Sequence, residues 1–528
     1  MERIVFFLKS NWGVTIGLFI VLFYSFSIVG FSLEFFPGDL ADGRFNNFIL
    51  EHDYLFFIDE VEFYWDAGFM YPEPAVISYS DNLLGTAPFY AMFRWLFDRE
   101  TSYQLWFVLM TLFNFISAYL FLKIVFKDKD SAVVGALVFA ISMVLYGQVS
   151  HAQTFVRFPI PIAFLFCFLF LKDLKPVYFF GIVFTVVYQI YCGIYLGFFL
   201  LIPVAIFVFI ILGVKWKTVL RKIKEWRWLV KMIGVIILNG LFLAPLLLPY
   251  LKRSTALNPY TYDHIFSSLP TVESFLFSPT NSLLWSFLNE TAKDYGDYWD
   301  HYLFVGGIAV FSMIFFFSSQ LKKIFKGKAD YLSTNNIGFF IFSIVGLTTF
   351  LLFIRTSEFS FYRIIYSIPG FTSLRSLTRI INVELIFFAF AVAYFTRIVL
   401  QKYKRYSSLI FSLIIVLFLV DNYIPFTSFN RTSKLESQVR INGLVEKMEK
   451  FPKGSVVSYE PFKNEEVNIY SQIDAMIAAQ SLGLKSINGY SATAPYVYDK
   501  FWGKMDEESR MEWLKFKKMD SLTVYVIH

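Results

Sequence analysis

The chain has 528 residues, of which 56% are hydrophobic, 67 are phenylalanine and 17% are charged. Soluble domains of this length do not need so much apolar side chain, and the repeated apolar runs have the length of membrane-crossing helices. The net charge of +6 is too modest to imply a nucleic-acid partner, and in a membrane protein the placement of charge says more than its sum.

Taken in chain order, apolar spans are predicted at 12–33, 102–122, 131–148, 158–172, 176–190, 194–213, 232–250, 302–319, 337–354, 381–400 and 407–424. Two of them, 158–172 and 176–190, are short for a hydrocarbon layer of ~30 Å. The first run has no small-residue cleavage site and reads as a retained span rather than a signal peptide. Cys167 and Cys192 lie inside apolar runs, where a thiol behaves as a small hydrophobe. No CxxC or HExxH spacing points to a metal.

Charge orients these spans. With the N-terminus, Arg3 and Lys9 in the cytoplasm, the same side receives Lys123, Lys127 and Lys129, then Lys172 and Lys175. It also receives the basic run 215–231, KKIFKGK at 322–328 and QKYKR at 401–405. The other side receives the acidic loop 34–101, with Asp39, Asp42, Glu51, Asp53, Asp66 and Asp81 among its carboxylates. This is the positive-inside pattern, and an odd number of spans then puts the C-terminus outside. The expected fold is an α-helical polytopic membrane protein with about eleven transmembrane helices. Residues 1–424 form the membrane domain, and 425–528 a small extracytoplasmic α/β domain. In that tail GSVVSYEPF (454–462) and SLTVYVIH (521–528) read as strands, and 467–482 and 499–518 as helical.

The loop 34–101 is the most informative segment. Within 44–58 the apolar Phe45, Phe48, Ile49, Leu55 and Phe56 share one helical face, while Asn46, Asn47, Glu51 and Asp53 lie elsewhere. This predicts a helix lying in the interface plane, and 86–97 predicts a second. Between them Tyr64, Trp65 and Tyr71 stand beside Asp66, Asp81 and Asn82. Rings that cover the faces of a pyranose, with carboxylates and amides for its hydroxyls, form a sugar-binding composition. The outward segments also hold His151, Gln153 and Arg157, and then Arg355, Arg363, Arg375 and Arg379. Arg375 and Arg379 are four apart and would share a helical face. The loop 251–301 adds Asp263, His264, Tyr295, Asp297, Trp299, Asp300 and His301.

The layout, with a first span, an acidic GD-x-x-D loop, interface helices, many further spans and an outer C-terminal domain, resembles the GT-C superfamily of membrane glycosyltransferases. In detail GDLADGRFNNFILEH, WDAGFMYP, SYSDNLLGTAPFYA, GQVSHAQTFVRFP and INGYSATAPY resemble uncharacterised bacterial GT-C-like proteins related to the YfhO type. The resemblance implies an inner-membrane enzyme that moves a sugar, with inversion, from a polyprenyl-phosphate carrier to a glycan, lipid or protein acceptor. It carries the catalytic carboxylate to Asp39, with Asp42 as second candidate. Asp42 is adjacent to the expected helix start near Gly43 and suits a helix cap, which leaves Asp39 as the freer group. Substrate contacts are expected from Arg44, Glu51, His52, Trp65, Asp66, Asp81, Asn82, His151, Gln153, Arg157, Arg363, Arg375, Arg379 and Tyr490. The cofactor is left open, a divalent cation (Mg or Mn) beside the second carboxylate being one candidate.

Two other classes compete, a lipid-linked sugar flippase or transporter and a non-catalytic envelope assembly protein. A transporter would carry charge at mid-membrane or internal repeats. Here the polar residues gather at one face. The topology is open to direct measurement. Alkaline phosphatase fused after His528 is expected to be active, and a fluorescent protein fused there to be dark. The reverse result would overturn both the span count and the placement of the loops.

Overall fold

The structure is a computed structural model and describes residues 11–256, 260–289, 298–325, 334–462 and 467–528. Arg3, Lys9, Tyr295, Asp297, Lys326 and Lys328 lie outside the described residues. Each predicted span falls on a helix. These are Trp12–Val29, Arg99–Phe126, Lys129–Ile141, Pro159–Asp173, Pro176–Cys192, Ile194–Val214, Trp226–Ala256, Gly307–Phe325, Thr334–Phe353, Ile381–Lys402 and Ser407–Asp421. Among the described residues ten helical segments are long and apolar enough to cross a membrane, and Pro176–Cys192 is a shorter apolar helix. The chain is thus a helical, multi-pass membrane protein. The short span predicted at 158–172 is lengthened by a 3-10 turn at Ala152–Phe155, so that Ala152–Asp173 makes one apolar segment of 22 residues.

Local chemistry explains the boundaries. Asp98 and Asp128 cap the helices that follow them by accepting from the Thr101 and Ser131 amides, each at 2.8 Å, and so satisfy donors that the helix start leaves unpaired. Pro159 and Pro176 stand in the first turns of their helices, where a missing N–H costs nothing. Inside the bundle the phenylalanines pack on one another. The rings of Phe342 and Phe390 are 4.3 Å apart, and Phe126, Phe164, Phe168 and Phe339 close around them. Trp226–Ala256 instead exposes Ile233, Ile236, Ile237, Leu238 and Leu241, an apolar flank suited to hydrocarbon.

The long connections meet at one face of the bundle, and the Lys/Arg-rich turns lie at the opposite ends of the helices. On the loop face β1 (Phe35–Pro37) pairs antiparallel with β2 (Arg431–Ser433), joining the start of the first loop to the start of the tail. Farther along, β3 (Val456–Tyr459) lies between β4 (Lys485–Ser486) and β5 (Val524–Ile527), parallel to both. Helices Lys434–Met448, Ile469–Ser481, Tyr498–Lys504 and Glu507–Phe516 complete the tail. The helical stretch expected at 499–518 is broken at Met505, which has φ +48°, and Asp506 caps the second piece.

The helix expected at 44–58 is present as Asp42–Phe57, but it does not float in the interface. Gly43 through Asp53 are all buried. The tail helix Ile469–Ser481 lies against it, and its polar side chains find partners in the protein instead of water. Arg44, 1% exposed, pairs with Asp474 of that tail helix, and Arg440 holds the other Asp474 oxygen with Nε at 2.9 Å. A buried guanidinium stripped of its anion costs about 3–5 kcal/mol. Asp474→Asn is therefore expected to lower the melting temperature in detergent sharply, while Arg440→Gln, which removes the more exposed partner, lowers it much less. Equal small shifts would show that Arg44 does not depend on Asp474.

Candidate functional site

The site begins at a tight turn. Gly38 has φ +97°, a conformation that disfavours a side chain. A Cβ on Gly43 would meet the Pro37 carbonyl oxygen at 2.8 Å. The two glycines let the chain fold back on the helix start. Asp39 then reaches the backbone, its Oδ1 accepting from the amides of Ala41 at 3.1 Å and Gly43 at 3.3 Å. This corrects the cap assignment. The helix starts one residue earlier than expected, at Asp42, so Asp42 is already inside the first turn and Asp39 serves the free amides.

Asp42 is turned elsewhere. Its Oδ1 accepts from the Tyr490 hydroxyl at 2.6 Å, and its Oδ2 is 3.1 Å from Nδ1 of His151. The other ring nitrogen, Nε2, is 3.1 Å from Nη2 of Arg379, whose guanidinium lies 5.6 Å from the centre of the Tyr195 ring. Five segments far apart in sequence thus meet in one chain of contacts. Burial pushes the Asp42 carboxyl up. The hydrogen bond from His151, the Tyr490 hydroxyl and the Arg379 charge outweigh it and hold the group down to about 2. Asp39 moves the other way. Burial raises it first and the neighbouring Asp42 charge adds to that, against the two amide bonds. Its Oδ2 has no hydrogen-bond partner among the described residues.

Beside this cluster lies a cavity of about 350 Å³. Its wall includes the loop Ser78–Asp81, Gln153, Tyr195, Tyr250, Arg375, Arg379 and, from the tail, Ala492–Ala494. Arg375 and Arg379 do not share a helical face as expected. Arg375 precedes the 3-10 turn Leu377–Ile380 that holds Arg379, and the cavity brings them together all the same. The exposed Arg375 side chain has no ion pair among the described residues. The Oε1 of Gln153 is buried without a partner among the described residues. Asp81 lies in the wall but is spent on structure, its Oδ1 accepting from the Ile194 amide at 2.6 Å, and burial raises its carboxyl.

The other sequence-predicted residues have partners elsewhere. Arg44 holds Asp474. Glu51 accepts from Tyr90 at 2.6 Å and Arg94 at 2.9 Å. His52 Nε2 faces the Tyr64 carbonyl at 2.6 Å, and burial lowers its pKa to about 4. Trp65 packs behind Tyr250. Asp66 accepts from the Ala75 amide, and Asn82 from Leu84. Arg157 is wholly buried among Asn382 and the carbonyls of Phe139 and Ala140. Arg363 is exposed beside Tyr262. In the loop 251–301, His264 stacks on Tyr260 and His301 bonds Ser274 at 2.8 Å. Arg355 is held by the Leu269 carbonyl.

Sequence reasoning missed Tyr195, Tyr250 and Tyr260 of the wall, because tyrosines in or near apolar spans read as belt residues. It also missed Arg253, which the wall includes, but whose donors go to Glu73 at 2.7 Å, Ser78 at 3.2 Å and the Pro74 carbonyl. Among the described residues no group of three or more His, Cys, Asp or Glu side chains is arranged to hold a metal ion. The position beside Asp42 is taken by His151, with Arg379 next in the chain of contacts, which does not suit a divalent cation.

No protein-family model matches the chain, and no curated protein matches it. Among solved structures it is similar to the oligosaccharyltransferase of Archaeoglobus fulgidus in its apo form. The two share 12% identity at a TM-score of 0.39, over 95% of this chain and 72% of that one.

The Tyr490 contact makes a pH-dependent prediction. Asp42 is held below its ordinary value of 3.8, so its contacts add stability above that pH, and the gain is lost as pH falls toward about 2. Tyr490→Phe removes a hydrogen bond to a charged group, worth roughly 1.5–3 kcal/mol. The variant should melt below wild type at pH 7, and the gap should close as the pH falls from 4 toward about 2. A gap independent of pH would show that Tyr490 acts through packing alone.

Proposed function

We propose that the chain is a GT-C-type membrane glycosyltransferase. It would transfer a sugar from a polyprenyl-phosphate carrier to a glycan, lipid or protein acceptor at the loop face, with inversion. That face is extracytoplasmic if the basic turns face the cytoplasm, and a bacterial inner membrane is the corresponding setting. The observation that carries the proposal is a cavity lined by Arg375 and Arg379, with Arg379 tied through His151 to Asp42, and with Asp39 outside the cavity wall but three residues before Asp42, its Oδ2 without a partner among the described residues. The sequence motifs of the first loop and the tail agree with it, as does their likeness to uncharacterised bacterial GT-C-like proteins of the YfhO type.

Asp39 accepts the proton of the acceptor hydroxyl through its free oxygen. The hydroxyl oxygen attacks the anomeric carbon, and the bond from that carbon to the phosphate oxygen breaks on the far side. The phosphate leaves with the negative charge. A base should not be held too acidic, and Asp39 is the carboxyl that burial and a like charge raise, whereas Asp42 is held down to about 2. Asp42 is assigned to positioning His151 and Tyr490. Arg375 and Arg379 meet the departing phosphate, where preorganised cations stabilise developing charge. The tyrosines of the wall offer faces to the sugar ring. No step requires a metal.

Asp39→Asn separates base from cap, because an asparagine Oδ1 still accepts from the two amides. Transfer from a lipid-phosphate sugar is expected to fall by about 10²–10⁴-fold, while the melting temperature and donor binding stay close to wild type. Undiminished turnover in Asp39→Asn would remove it as the base. Transfer lost in Asp42→Asn alone would move that role to Asp42.

A further inference from the structure

We infer that His151 is a positioning residue: a neutral imidazole, protonated on Nδ1, that keeps the Asp42 carboxylate and the Arg379 guanidinium from pairing with each other. This deepens the glycosyltransferase proposal and rests on its use of Arg379 toward a phosphate.

The protonation state follows from what each partner is able to do. A guanidinium has only N–H donors. With Nη2 of Arg379 3.1 Å from Nε2 of His151, that ring nitrogen must present its lone pair. The ring proton therefore sits on Nδ1, 3.1 Å from Oδ2 of Asp42, which only accepts when ionised. A doubly protonated imidazole would turn an N–H on the Arg379 N–H, and an Nε2–H tautomer would leave lone pairs facing each other at Asp42. One tautomer satisfies both contacts.

The ring acts as a spacer. A carboxylate and a guanidinium in reach of one another form a bidentate pair. Such a pair would spend the Arg379 donors and screen the Asp42 charge that raises Asp39. With the imidazole between them, Arg379 gives one N–H to His151, rests on Tyr195, and keeps its Nε without a partner among the described residues while its side chain lines the cavity. The ring is held by its backbone. The His151 amide donates to the Gln148 carbonyl at 2.9 Å, and its carbonyl accepts from the amide and hydroxyl of Thr154, each at 2.8 Å. Next to it Ser150 receives Asn430 of the tail at 2.8 Å.

Two measurements on the full-length protein in detergent micelles test this. Nitrogen-15 NMR with labelled histidine at neutral pH reads the tautomer directly, and loss of one signal pair in His151→Gln assigns it. The expected pattern is a protonated Nδ1 with an unprotonated Nε2. An Nε2–H tautomer or a charged ring would overturn the inference whatever the enzyme transfers. The second measurement is the affinity for farnesyl phosphate in wild type, His151→Ala and His151→Gln. A glutamine side chain can donate to Asp42 and accept from Arg379, whereas alanine lets those two meet. His151→Ala is expected to bind roughly tenfold or more weakly, the worth of a charge-assisted hydrogen bond, and His151→Gln to recover most of that loss. Equal losses in both variants, or tighter binding in His151→Ala, would refute the spacer. Wild type that shows the expected tautomer but does not bind farnesyl phosphate would count against the glycosyltransferase proposal, and leave the tautomer to stand by itself.

Discussion

A buried guanidinium cannot be left without an anion, and among the described residues Arg44 finds one in Asp474, more than four hundred residues away. Most of the loop face depends on that constraint. It requires the helix Ile469–Ser481 to lie on the helix Asp42–Phe57. Once it does, Tyr490 comes over Asp42 and Ala492–Ala494 come over the cavity. The β1–β2 pairing also joins the same two parts where each begins. A polar helix beside hydrocarbon is costly unless its groups are paired inside the protein, and the tail supplies those pairs.

The two carboxylates of the first loop differ in chemistry because they differ by less than one helical turn in position. Asp39, before the helix, meets backbone amides with one oxygen, and the other has no partner among the described residues. Asp42, inside the first turn, points at His151 and Tyr490 and is fully engaged. Each influences the other. The Asp42 charge is part of what raises Asp39, in the manner of neighbouring carboxylates pushed apart in acidity. The shared turn, set by Gly38 and Gly43, makes this division of roles possible.

The cavity joins five parts of the chain: the loop Ser78–Asp81, the helices beginning at Ile194 and Trp226, the segment before Ile381, and the tail. Three of its polar wall residues are tied to the frame. Asp81 anchors the helix Ile194–Val214, Arg253 anchors Glu73, and Tyr250 donates to the Ser80 carbonyl at 2.7 Å. The wall also presents the cations Arg375 and Arg379, the rings of Tyr195 and Tyr260, and the Gln153 amide.

Much of the fold was legible from sequence because hydrocarbon imposes a single long period of apolar residues. The eleven apolar helices, ten of them long enough to span, could be placed with ends off by up to about seven residues, and the polar first loop stood out against them. The turn residues Pro37 and Gly38 marked where Asp39 would sit. The sequence by itself also brought Asp39, Asp42, His151, Arg375, Arg379 and Tyr490 forward as candidates, since a charge or polar ring beside a membrane span is costly without a purpose. It could not say which of them meet. Whether Asp39 or Asp42 caps the helix turned on a one-residue shift in the helix start, below what residue pattern resolves. That Arg44, Glu51 and Arg157 serve the frame while Arg375 and Arg379 reach a cavity was decided only in the tertiary structure. A buried charge shows its role through its partner, and these partners lie tens to hundreds of residues away.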